Sequence, residues 1–88
     1  AHRIGLLNEI LPAEALRDRS MAMARLIAEN APLAVQACKE VVLRTSGLSF
    51  DEANAVEDEV AVRVLKTNDA VEGPLAFVEK RKPIFTGT

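Results

Sequence analysis

"APLAVQACKEVVLRTSGLSFDE", residues 31–52, decides how this chain folds, because it holds a complete helix and the start of the next. Pro32 has the fixed backbone angle that suits a first helical position, and the residue before a proline avoids the helical region, so a helix begins here and none continues through it. Leu33, Ala34, Ala37, Cys38, Val41, Val42 and Thr45 then follow the three-four spacing of one apolar stripe. Ser46-Gly47 stops it. Ser49 and Glu52 form a capping-box pattern, in which a hydroxyl and a carboxylate reciprocally satisfy free backbone N–H groups at a helix start. Two consecutive helices with so short a joint predict an all-α chain.

Working outward, residues 13 to about 29 are rich in Ala, Leu, Met, Glu and Arg, with Leu16, Met23 and Ile27 in one column and Ala15, Ala22 and Leu26 in the next. This predicts a further helix, ended by Asn30-Ala31-Pro32. Leu6 to Leu11, before Pro12, reads either as a short strand or as an extended connection; a lone strand has no partner here. Ala1 to Gly5 resembles the last turn of a helix closing on a left-handed glycine, so the chain reads as a fragment of something longer. In the helix opened by Ser49, the residues Phe50, Ala53, Val60, Ala61, Val64 and Leu65 share an inner side with Glu57, and Ala55, Val56 and Val62 widen that stripe beyond what one neighbour covers. Asp69, with Glu72 three positions on, reads as the N-cap of a fourth helix running to about Arg81. Gly73 costs that helix about 1 kcal/mol relative to alanine, which suggests the close approach of another backbone. Pro74 is read as still near the first turn, Pro83 as the stop, and residues 84–88 as a trailing end. The expectation is a small four-helix element.

Composition narrows the function. The 88 residues are 49% hydrophobic but only 3% aromatic, without Trp or Tyr, so the core is built from Ala, Leu, Val and Ile. Such small side chains bury little area each, which favours association with further chains. The net charge of -2 gives no general attraction to nucleic acid or anionic membranes, so neither is an expected partner. A single cysteine, Cys38, forms no internal disulfide and fits a reducing compartment; with no apolar run long enough to span a bilayer, a cytoplasmic location is expected.

Catalytic chemistry is missing. Glu57, Asp58 and Glu59 are consecutive on a helix and point in different directions, His2 has no motif partner, and Cys38 on its apolar stripe reads as a small core residue. No phosphate-cradling loop, zinc spacing or nucleophile elbow occurs, so no catalytic residue, metal or cofactor is expected. One feature is left over: Lys80-Arg81-Lys82. Cations at a helix carboxyl end ordinarily complement the dipole. Phe77, three residues before Lys80 and so on the same helical face, offers a second reading, because an apolar plate beside an ammonium suits a ligand with both a ring and a phosphate.

"GLLNEILP" (Gly5 to Pro12), "APLAVQACKE" (Ala31 to Glu40) and "NDAVEGPLAFVEKRKPIFTG" (Asn68 to Gly87) resemble, in order and spacing, the carboxyl-terminal third of the enoyl-CoA hydratase/isomerase family, the crotonases. The resemblance implies an acyl-CoA enzyme, such as a hydratase adding water to a 2-enoyl-CoA in fatty-acid oxidation. In that family the oxyanion hole and the two catalytic glutamates lie in a core preceding this region, so the chain alone is expected to be inactive. By the same resemblance, residues 1–12 are the end of that core and residues 13–88 a helical oligomerisation and lid region, which associates into trimers or hexamers. Phe77 matches the family's phenylalanine near the acyl-CoA, and Lys80 the lysine that approaches the nucleotide phosphate; Arg81 and Lys82 are supporting candidates. A free-standing helical association module without ligand is the competing expectation.

Overall fold

The computed structural model describes all 88 residues. A single 3₁₀ turn, His2–Ile4, is followed by four α-helices: α1 Ala13–Ala28, α2 Pro32–Thr45, α3 Phe50–Leu65 and α4 Asn68–Val78. Residues 6–12 form no strand; they are an irregular connection with bends at Leu6 and Asn8. The local signals act as their chemistry dictates. Gly5 closes the first turn with a left-handed φ of 78°, and Pro32 occupies the first position of α2. At α3, Glu52 donates its amide to Ser49 Oγ at 3.4 Å while its carboxylate accepts the Ser49 N–H at 2.9 Å, the reciprocal box. No helix is long and apolar enough to cross a membrane.

The α2–α3 hairpin is the main packed unit. Val60 of α3, 2% exposed, is its centre. Half-buried Leu33, Ala37 and Val64 lie beside it. Ion pairs brace one side: Arg44 bridges Glu40 (2.8 Å) and Glu59 (2.9 Å), and Arg63 reaches Glu40 at 2.6 Å. Glu59 is therefore a structural partner, while Glu57 and Asp58 stay solvated. Exposed pairs of this kind contribute little singly, so their use here is to orient the two helices.

Little else is enclosed. Only Val60, Ala76 and Asp69 are buried, whereas Leu16, Leu26, Phe50 and Leu65 are exposed although the periodicity assigns them to inner faces. Cys38 is likewise exposed, contrary to its reading as a core residue. The reason is geometric: α2 and α3 cover only one strip of each other, and the wider stripes continue onto an open apolar groove lined by Cys38, Val41, Val42 and Leu65. Helix α1 packs closely on none of the others. Its companion is the connection before it, tied by Arg19 to Glu9 at 2.8 Å. The radius of gyration is 16.5 Å, against about 12 Å for a compact chain of this length.

Around α4 the structure corrects three readings. Thr67, not Asp69, is the N-cap, accepting the Ala70 N–H on its hydroxyl at 3.2 Å. Pro74 lies inside the helix rather than in its first turn. Gly73 faces an aromatic ring and no backbone: a Cβ there would meet Phe85 Cε1 at 3.8 Å, an ordinary contact. Since that space accommodates a methyl group, Gly73→Ala is expected to raise the stability of the full-length protein, by at most about 1 kcal/mol. A lowered denaturation midpoint would show that the Phe85 ring needs the bare backbone.

Candidate functional site at the end of α4

Helix α4 ends at Val78, three residues short of the predicted Arg81. The Lys80 N–H donates to the Phe77 carbonyl at 3.2 Å and the Arg81 N–H to the Ala76 carbonyl at 3.0 Å. This pair of bonds is a Schellman closure, which requires a left-handed residue at its corner. That residue is Lys80, with φ 55°, the one non-glycine of the chain in that region. Lys80 is therefore off the helical ladder, and the three-residue spacing from Phe77 no longer puts the two on one helical face. Both side chains are open to solvent, Phe77 at 85%.

The three cations of the run have different surroundings. Arg81 is held by Glu72, Nη2 to Oε2 at 2.9 Å with Nη1 on the other carboxylate oxygen, and its Nε donates to Glu79 at 2.6 Å. Lys82 Nζ lies 3.5 Å from Glu29, at the end of α1. Lys80 has no hydrogen-bond or ion-pair partner from its side chain. The Glu72 carboxylate also accepts the Ile84 N–H at 2.8 Å. Together the Arg81 guanidinium and the Ile84 amide hold the Glu72 carboxyl down at about 2, so it is ionised at ordinary pH.

The segment after Pro83 does not trail away. Asp69, 4% exposed, accepts the Thr86 and Gly87 N–H groups, each at 2.8 Å, and the Thr86 hydroxyl at 3.3 Å. The Thr88 carbonyl accepts the Asn68 N–H at 2.7 Å, closing the free amino end of α4. The tail thus returns along the helix it follows, and Phe85 is brought onto Gly73. An open hollow results, lined by Phe77, Phe85, Leu26, Glu29, Arg81 and Lys82 among others. Phe77 shares it with Arg81 and Lys82; Lys80 stands outside its lining.

Sequence reasoning missed Glu72 and Asp69 as tail-holding carboxylates. Both were read as helix-terminal acids, and no periodic spacing links them to partners 9 to 18 residues away. The arrangement can bind an anion and an apolar ring; it contains no nucleophile or general base placed to react.

An open all-α element with a cationic turn just past its last helix is thereby defined. The chain belongs to the enoyl-CoA hydratase/isomerase family, whose model matches residues 1–88. Among curated relatives it is 43% identical to the carnitinyl-CoA dehydratase of Proteus mirabilis strain HI4320 and 36% identical to that of Escherichia coli K12, each over 99% of this chain and 35% of the relative. Among solved structures it resembles an enoyl-CoA hydratase/isomerase from Mycobacterium paratuberculosis, with a TM-score of 0.95 and 38% identity over all of this chain and 35% of that one. An enoyl-CoA hydratase from Mycobacterium tuberculosis H37Rv gives 0.92 and 40%, over all of this chain and again 35% of the other. The chain thus spans about a third of the length of the proteins it matches, and it superposes on their helical region.

Proposed function

We propose that this chain is the carboxyl-terminal part of a cytoplasmic acyl-CoA enzyme that adds water to, or removes it from, a CoA thioester, most concretely an enoyl-CoA hydratase of fatty-acid oxidation. In this reading residues 1–12 end the catalytic core and residues 13–88 form a lid and subunit-joining region, inactive alone. Phe77 lies against the acyl-CoA and Lys80 meets a nucleotide phosphate. The observation that carries the site is the Lys80 turn: in a run of three exposed cations whose other two are paired, Lys80 alone has no partner, and it stands at a left-handed corner just past the end of α4, three residues after the exposed Phe77.

Hydration and dehydration are one reaction in opposite directions, so the hydratase names of the structural neighbours and the dehydratase names of the curated relatives support the same chemistry. The curated names favour carnitinyl-CoA as a second substrate reading. The open shape and uncovered apolar faces support a helical element made to lie on other surfaces, and weigh against a self-sufficient module.

The test uses the full-length protein with a short 2-enoyl-CoA and with carnitinyl-CoA. Lys80→Ala is expected to raise KM about fivefold with little change in kcat, because a partly wet phosphate contact is worth on the order of 1 kcal/mol and is made equally in ground and transition states. An unchanged KM removes Lys80 from the site, and no turnover of either thioester overturns the reaction assigned.

A further inference from the structure

A left-handed lysine needs an explanation. Glycine would make the same corner without steric penalty, whereas a side chain there costs roughly 1 kcal/mol or more. Something on either side must hold the backbone in place. Upstream, the two bonds from Lys80 and Arg81 back to Phe77 and Ala76 define the turn. Downstream, one side chain holds two points of the chain at once: the Glu72 carboxylate takes the Arg81 guanidinium on both its oxygens and the Ile84 N–H on one of them. Glu72 sits in the middle of α4, so it ties the residue just after the corner, and the residue beyond Pro83, to a rigid element.

Charge points the same way. Glu79 is the carboxylate nearest Lys80 in sequence, and its hydrogen bond goes to Arg81 Nε instead. The same guanidinium is held by Glu72 at its other two nitrogens. The two acids together absorb Arg81 and leave Lys80 without a neutralising partner.

We infer that Glu72 is a positioning residue for Lys80: by clamping Arg81 and the Ile84 amide it keeps the left-handed corner closed and leaves the Lys80 ammonium free for a ligand phosphate. The inference rests on the reading of Lys80 as a CoA contact and deepens it, since Glu72 itself touches no ligand. It separates the run into one binding cation, Lys80, and one scaffold cation, Arg81.

The test measures coenzyme A binding to the full-length protein by calorimetry, at several salt concentrations, for wild type, Lys80→Ala, Glu72→Gln and the double variant. Gln at position 72 keeps an acceptor for the Ile84 N–H but loses the charge pair. The expected result is that Glu72→Gln weakens CoA about fivefold, equivalent to about 1 kcal/mol, and lowers the salt dependence to that of Lys80→Ala, while the double variant binds no more weakly than Lys80→Ala alone. A purely structural role shifts the denaturation midpoint and leaves the salt dependence at the wild-type value, which overturns the inference. So does additivity in the double variant, or wild-type binding by Glu72→Gln alongside weakened binding by Lys80→Ala. If Lys80→Ala itself binds CoA as wild type does, the CoA-contact reading fails first and leaves Glu72 nothing to position. Should Glu72→Gln fold poorly, Glu72→Asp, which keeps the charge and shortens the reach to Arg81, loosens the clamp without removing a cation and carries the same expectations.

Discussion

Asp69→Ala is expected to free residues 84–88 from α4 and to lower the stability of the full-length protein by about 3 kcal/mol. The carboxylate is buried and accepts two backbone N–H groups and a hydroxyl. Hydrogen bonds to a charged acceptor contribute about 1.5–3 kcal/mol each, and donors left buried without a partner add a desolvation cost. The loss is held to the lower part of the simple sum because the released tail regains water. Hydrogen exchange should report the change locally, with protection of the Thr86 and Gly87 amides lost before that of α2 or α3. Asp69→Asn should be nearly as damaging, since one side of the amide presents N–H groups to a backbone N–H. Unchanged protection at both amides would mean that the tail is held by something other than Asp69.

The second large effect is expected from Ala76→Leu. Ala76 is completely enclosed, in a chain where almost nothing else is. Three added carbons have nowhere to go without displacing helix or tail, and overpacking of this kind costs about 1–3 kcal/mol. On the proposed reading of Phe77 and Lys80 as CoA contacts, the position also has a functional consequence. The Ala76 carbonyl accepts the Arg81 N–H that closes the Lys80 corner, so shifting this turn of α4 moves Phe77 and Lys80 together. The full-length variant should therefore lose affinity for CoA as well as stability, and the two losses should be compared by calorimetry and thermal unfolding. Full stability together with unaltered CoA affinity would show that the helix end is loosely packed, against its burial.

How much was legible beforehand depended on the range of the interaction. The start of α2 at Pro32, the reciprocal box at Ser49 and Glu52, and the left-handed closure at Gly5 are each made by residues within four positions of one another. Neighbouring residues meet whatever the rest of the chain does, so composition and spacing suffice. The end of α4 is different. Glu79-Lys80-Arg81 contains no helix breaker, and the three-four spacing carries the pattern smoothly to Arg81; the helix stops early because Arg81 turns back to Glu72 and the tail is captured by Asp69. Nothing in the local sequence distinguishes a carboxylate that caps its own helix from one that accepts a chain segment returning seventeen residues later.

The inner faces were also only half legible. Periodicity correctly marks Val60 as a core position, yet it marks Phe50 and Leu65 by the same rule, and these are exposed. A stripe reports that a surface is apolar. It does not report which body covers it, and in this chain α1 has only the connection before it, while the outer sides of α2 and α3 stay open.

By itself, then, the sequence determined that this is a chain of four helices, with the starts of the first three, and through its motifs the family it belongs to, because those properties live in short-range chemistry and in the order of residues. Tertiary structure alone decided which of three adjacent cations stands free, where the last helix ends and where the tail lies. Those outcomes follow from carboxylates choosing between distant partners, and that choice is made by folded geometry.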